Sequence, residues 1–320
     1  MSKIQVAFRP LASLAVLLFV TSQASAQATR TWVSGVGDDA NPCSRTAPCK
    51  TFAGAISKTA DGGEINCIDS GGFGAVTITK SITIDGNGTH AAILSSGTNG
   101  IIINDATPAG SVVTLRNLSI NGAGTAPGLN GIRFLDGETL HVENCTIFGF
   151  SQNGIDVQPN PATAQTFKVF VLDTVIRNCA FVAPNAGIVV KPGTNGTVNA
   201  MLDGVRLNQH KSSGIRAEAR STVTVRNSEA SGNTDFGFLA INSTAGNAVL
   251  NLESCVTTGN NFGLRASGAQ ATMRISNVTV VSNATGLFAD GGASIISFVN
   301  NRILGNTTTN GTPTGTQVQQ

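Results

Sequence analysis

The 320-residue sequence has no tyrosine, one tryptophan, three histidines and only 12% charged residues. Charge at about half its usual share excludes a charge-rich disordered chain and a charge-laced coiled coil. Twenty basic residues against 18 acidic ones exclude a strongly basic nucleic-acid-binding domain and leave no long-range field. His90, His141 and His210 have no partners at metal-ligand spacing. The six cysteines are too scattered for a disulfide scaffold. Cys43 and Cys49 are close enough to staple a small loop, while Cys145, Cys179 and Cys255 lie in apolar repeats and read as core thiols. No apolar run is long enough to span about 30 Å of hydrocarbon.

The longest such run, 11 to 20, follows Lys3 and Arg9 and leads to Ala24-Ser25-Ala26. A positive start, a short apolar stretch and small residues at the exit make 1 to 26 a signal peptide, cleaved before Gln27. The mature chain then carries 18 charges of each sign and is near neutral. Its location is exported: periplasmic, extracellular or on the cell surface.

Glycine, at 37 residues, is abundant and regularly placed. Gly followed by an apolar residue recurs at Gly100, Gly131, Gly154, Gly187, Gly214, Gly237, Gly263 and Gly286, in steps of 31, 23, 33, 27, 23, 26 and 23. A second unit keeps pace: Leu115-Arg116-Asn117, Val142-Glu143-Asn144, Leu172-Asp173-Thr174, Leu202-Asp203-Gly204, Val225-Arg226-Asn227, Leu252-Glu253-Ser254, Ile275-Ser276-Asn277 and Phe298-Val299-Asn300. No helical periodicity fills the gaps, which excludes a βαβ or leucine-rich repeat. A sandwich would not keep this register, and a propeller blade needs more residues. The pattern predicts an all-β, single-stranded parallel β-helix over 64 to 305, its coils stacked about 4.8 Å apart. The first residue of each second unit should form one inward stack. Asn117, Asn144, Asn227, Asn277 and Asn300 should sit at a bend, with Asn117, Asn144 and Asn277 facing inward.

The ends differ. Residues 27 to 63 form an opening segment and cap, with a short helix within 50 to 60 whose apolar face (Phe52, Ala55, Ile56) plugs the first coil. Asp38, Asp39 and Asn41 offer close hard oxygens, a candidate calcium site against the plainer reading of a polar loop. Residues 306 to 320 are rich in Thr, Gly, Asn and Gln and read as a flexible polar tail.

Thr31-Trp32-Val33-Ser34-Gly35, Asp38-Asp39-Ala40-Asn41-Pro42 and Ala47-Pro48-Cys49-Lys50-Thr51-Phe52 resemble the opening of secreted bacterial parallel β-helix proteins of the pectin-lyase-like superfamily. Ala60 to Ile65 and Ile82-Thr83-Ile84-Asp85-Gly86 resemble its first coil. The resemblance covers nearly the whole mature chain. It implies a right-handed, three-faced solenoid and frequently a polysaccharide ligand. The Asn-Thr-Asp, Asp-Asp, Gly-His-Gly and Arg-Ile-Lys motifs of polygalacturonases have no matching set here, and fold alone does not transfer activity.

Outward positions after each repeat glycine read Arg133, Asp156, Val189, Arg216, Leu239, Arg265 and Phe288. Arg133, Asp136, Asp156 and Lys191 are the candidates for a catalytic acidic-sugar site, because a lyase must neutralise a uronate and abstract its α-proton. Their plain alternative is a solvated charged face with Arg133 and Asp156 paired across coils. Asp173, Asp203, Arg226 and Glu253 form a candidate ligand-binding ladder. A directly stacked Asp173–Asp203 pair would require calcium, sugar hydroxyls or a flanking arginine such as Arg177 or Arg206. Stacking platforms for sugar are limited to Phe148, Phe150, Phe170, Phe181 and Phe288, and a groove is expected beside 122–129 or 160–166. These features favour an exported non-catalytic scaffold that contacts a polysaccharide or cell-surface glycan. The alternatives are a lyase or hydrolase acting on an acidic glycan, and an adhesin or fibre module that self-associates through its coil ends.

Overall fold

The computed structural model describes residues 27–106 and 110–318. The signal peptide read at 1 to 26 lies outside the described residues. Short runs such as Ile82–Asp85, Val112–Arg116 and Leu118–Asn121 bury alternate side chains. Each pairs in parallel with its counterpart one coil away. Among the described residues three walls result. Wall A has 12 strands, wall B has 10 and wall C has nine. The chain visits them in the order A, B, C on every coil, and the inward residues of all three form one continuous core. No described helix is long and apolar enough to cross a membrane.

The repeat glycines owe their place to crowding. At Gly100, Gly131, Gly154, Gly187, Gly214, Gly237 and Gly263, an added Cβ would lie 2.6–2.9 Å from the carbonyl oxygen of the next repeat glycine. None of these has φ in the left-handed region. Close approach of successive coils at the entrance to wall C therefore selects glycine.

The bend from wall A to wall B does need the left-handed region. Asn117, Asn144, Asp173, Gly204, Asn227, Ser254, Asn277 and Val299 have φ from 45° to 69°. Asparagine and glycine tolerate this geometry best. The side chains reach along the stack, as in Asn144 Nδ2 to Asn117 Oδ1 at 2.7 Å, but Asn144 and Asn277 face solvent instead of pointing inward. Two second units slip by one residue. Val171, not Leu172, continues the inward stack, and Ser297 takes the place expected of Phe298. Val299 accordingly occupies the bend in place of Asn300.

A second polar ladder runs inside the bend from wall B to wall C. Its column is Phe150, Cys179, His210, Asn233, Asn260, Asn283 and Asn306, all but Asn306 fully buried. Asn260 Oδ1 accepts from the Asn233 amide at 2.9 Å, and its Nδ2 meets Asn283 Oδ1 at 2.9 Å. Removing such a side chain orphans buried backbone donors and acceptors. Asn260→Ala is expected to destabilise the stack by about 2 kcal/mol in urea unfolding.

At the start, the helix is shorter than expected, Phe52–Ile56, because Thr59–Cys67 pairs with Ala28–Val33 to open wall A. Thr51 caps the helix, and Phe52 packs on Phe73 with ring centres 5.2 Å apart. At the other end, the segment expected to be a mobile tail is hydrogen-bonded onto the last coil. Gly286 and Leu287 donate to the Thr309 and Asn310 carbonyls, and Gly315–Thr316 extends wall A. That cover shields the last strands of walls C and A, while Arg302–Leu304 remains the edge of wall B.

Candidate functional site

The outward column of wall C follows the register read from the sequence: Arg133, Asp156, Val189, Arg216, Leu239, Arg265 and Phe288 are successive partners. Arg133 Nε lies 3.3 Å from Asp156 Oδ2, an ion contact too skewed for a hydrogen bond. Asp156 is only 2% exposed, and its Oδ1 accepts from Asn153 at 3.1 Å and Gln158 at 2.7 Å. Burial pushes its pKa above the ordinary carboxylate value despite Gln158 and Arg133. Asp136 does not join this cluster. Its carboxylate takes the Gly137 amide, and it sits two coils, roughly 10 Å, from Lys191.

Lys191 instead meets Glu218, with Nζ 3.6 Å from Oε2, and Arg216 Nε approaches Oε1 of the same carboxylate at 2.7 Å. The Glu218 side chain is 7% exposed, while that of Lys191 is 50% exposed. Arg220, at φ 63°, turns the chain from wall C to wall A and donates to the Gly193 and Ala245 carbonyls. It clips two loops together without meeting a carboxylate among the described residues. Lys191 and Arg216 therefore share one buried carboxylate, with the Arg220 guanidinium nearby. Lys191 and Arg220 border a groove of about 420 Å³ that Gln158, Asn160, Glu218 and Thr244 also line. The insertion Pro159-Asn160-Pro161 supplies one edge, as the loop spacing had suggested. Glu218 and Arg220 were missed from the sequence. Counting two residues outward from Arg216 would have found Glu218.

The wall A ladder differs from expectation. Leu172, not Asp173, pairs with Asp203, so the expected direct stack of Asp173 on Asp203 does not form. Asp173 lies in the left-handed bend. Arg226 closes on Asp203 Oδ2 at 2.7 Å, and Asn227 donates to Oδ1 at 3.0 Å. The Asn227 hydrogen bond, then Arg226, hold the Asp203 carboxyl below its ordinary value. Glu253 follows Arg226 in register and accepts from the Ser254 hydroxyl at 3.3 Å.

In the opening loop, Asp39 accepts the Lys50 and Thr51 amides and the Thr51 hydroxyl, at 2.7–2.9 Å. Slight burial opposes ionisation, yet these donors keep its carboxyl below the ordinary value. Asp38 takes the Ala40 amide, and the Asn41 side chain donates to the Pro48 carbonyl. All three side chains thus hold the loop. No group of three His, Cys, Asp or Glu side chains able to hold a metal occurs among the described residues. Cys43 and Cys49 form the disulfide. Cys145 and Cys179 are buried thiols, pushed up to about 12 by desolvation. Of the phenylalanine platforms, Phe150 is in the core, Arg177 covers Phe148, Lys211 covers Phe181, and His141 stacks on Phe170. Phe288 remains 40% exposed.

Residues 61–200 and 173–303 match the family described as right handed beta helix region. The chain belongs to this family. Two solved structures share the right-handed β-helix fold. The pectate lyase Pel9A aligns with a TM-score of 0.59 at 14% identity, covering 84% of this chain and 74% of its own. An alginate lyase from Paenibacillus sp. str. FPU-7 aligns with a TM-score of 0.56 at 14% identity, covering 91% of this chain and 98% of its own. No curated protein matches the sequence. At such identity the likeness is one of fold. The β-helix places the Lys191–Glu218–Arg220 groove where wall C turns into wall A.

Proposed function

We propose that this right-handed β-helix is an exported, non-catalytic scaffold that binds an acidic polysaccharide in the groove between Lys191 and Arg220. The reading is carried by one buried carboxylate, Glu218, that meets both Lys191 and Arg216, beside an Arg220 with no carboxylate partner among the described residues. This arrangement leaves uncompensated positive charge on a concave, partly enclosed surface, which suits a chain of uronates. The two structural neighbours are named for pectate and alginate, both polymers of acidic sugars. The disulfide and the signal sequence support an oxidising destination.

Affinity electrophoresis in polygalacturonate and alginate gels tests the reading. Retardation should weaken at least about tenfold when Lys191→Ala and Arg220→Ala are combined, the scale of losing charge-assisted contacts. Equal retardation of the folded variant would sink the proposal.

The half-exposed Lys191 in the groove supports one second reading, a lyase in which Lys191, in its unprotonated form, removes the α-proton, Arg220 neutralises the uronate, and the glycosidic C–O bond breaks as the double bond forms. Absorbance of unsaturated products, with and without calcium, separates the two. Turnover that disappears in Lys191→Ala would establish the lyase and end the non-catalytic reading.

A further inference from the structure

We propose a second carbohydrate site, independent of the groove on wall C. It is a cleft on the outer face of wall A where Trp32 and Arg45 take an acidic oligosaccharide, the indole stacking on a sugar face and the guanidinium meeting a carboxylate.

The strand Ala28–Val33 buries Thr31 and Val33 completely and turns the intervening Trp32 outward, half-buried. Its register partner Asn66 leads on to Asp85 and Arg116. The Trp32 backbone is held on its other side by the disulfide loop. Its amide donates to the Cys43 carbonyl at 2.9 Å, and the Cys49 amide donates to its carbonyl at 3.0 Å. The indole is thus mounted on a backbone fixed from both sides, so little ordering opposes binding. Among the described residues, cation–π contacts fall on phenylalanines and none on Trp32, so no cation covers its face.

The indole lines a cleft of about 420 Å³ with Arg30, Arg45, Glu64, Asp85 and Arg116. Both carboxylates are occupied. Glu64 receives Arg30 at 3.1 Å and the Asn66 side chain at 2.6 Å, with Arg116 at 3.7 Å. Asp85 receives Arg116 at 2.9 Å, the Asn117 side chain at 2.7 Å and the Asn87 amide at 2.8 Å. Arg45 is exposed and has no carboxylate partner among the described residues. An open aromatic face beside a spare guanidinium is the chemistry that recognises a sugar bearing a carboxylate. The near-neutral chain argues against nucleic acid, the other ligand that pairs stacking with anionic groups.

The protein reports on this cleft by itself. With one tryptophan and no tyrosine, its emission above the phenylalanine band comes from Trp32. Titration with tetragalacturonate should change that emission saturably. Arg45→Ala should weaken the apparent affinity about tenfold, and cellotetraose should bind at least about tenfold more weakly than the acidic sugar. The groove variant carrying Lys191→Ala and Arg220→Ala should keep the full response, which separates this site from the groove whatever becomes of the latter. In that background, calorimetry should register a site that Trp32→Ala removes. The proposal is overturned by unchanged emission, by an undiminished response in Arg45→Ala, by loss of the response in the groove variant, or by an equal response to a single-stranded oligodeoxynucleotide.

Discussion

Gly237→Ala is expected to destabilise the β-helix by about 3 kcal/mol, near the upper end of the usual range for overpacking. The new methyl carbon would lie 2.2 Å from Thr257 Oγ1, 2.7 Å from the Gly263 carbonyl oxygen and 3.1 Å from Asn260 Nδ2. The hydroxyl could rotate away, but the carbonyl belongs to the next coil and the amide to the buried ladder. Relief therefore requires separating two coils whose spacing is fixed by strand pairing on both sides. Stability in a stacked repeat is largely a sum over neighbouring interfaces, so one widened interface is felt in full. Gly124→Ala is the control. Nothing lies within 4 Å of its added carbon and its φ is not left-handed, so its effect should stay within about 0.5 kcal/mol. Urea unfolding followed by circular dichroism measures both. Equal midpoints for the two variants would show that the coils yield and that crowding does not explain the glycine repeat.

The glycine repeat was legible because the constraint recurs. One crowded contact per coil leaves one glycine per coil, and two residues beyond it the outward column of wall C follows. The second unit was legible only where apolar and polar residues alternate. In Gln165–Leu172 the run Val169-Phe170-Val171-Leu172 is apolar throughout, so Leu172-Asp173 invites alignment with Leu202-Asp203. The left-handed bend falls on Asp173, and a slip of one residue exchanges inward for outward. That slip created the Asp173–Asp203 stack and, with it, the reason to look for calcium on wall A.

The groove was legible only in part. Lys191 and Asp156 stood out as charges near the glycine units. Glu218 and Arg220 matter because two inter-wall turns approach each other, which linear periodicity does not encode. The tail illustrates composition misread. Thr, Asn and Gly at 306 to 316 suggested mobility, yet Asn306 continues the buried amide ladder and accepts the Asn283 amide at 3.0 Å. In a solenoid the residues that look disordered by composition are also those that close a coil.

The same ladder makes stability depend on pH through one imidazole. His210 stands where the column changes from Phe150 and Cys179 to asparagine, and it is 1% exposed. Its Nδ1 accepts the Cys179 amide at 3.2 Å, its own amide donates to Asn233 Oδ1 at 3.0 Å, and its Nε2 faces Gly187. Burial lowers its pKa from 6.5 to about 4. A proton on Nδ1 would also set two N–H groups against each other. Unfolded imidazole binds its proton as pH falls through about 6.5, whereas the folded one resists until about 4. The unfolded state therefore holds more protons in that window, and stability is full above it and declines as pH falls across it. A separation of this size corresponds to roughly 3 kcal/mol between pH 7 and 4. Asp156, whose pKa is raised by burial, works in the opposite sense near the acidic end, so the wild-type slope alone does not identify its source. His210→Asn does. Asparagine extends the ladder of Asn233 and Asn260, offers Oδ1 to the Cys179 amide and does not titrate. The variant should be at least as stable as the wild type at pH 7. Its urea midpoint should stay nearly level from pH 7 to 4.5, while the wild-type midpoint falls steadily. Parallel slopes in the two proteins would mean that the imidazole finds solvent or a partner when protonated and that the ladder is not the source of acid sensitivity.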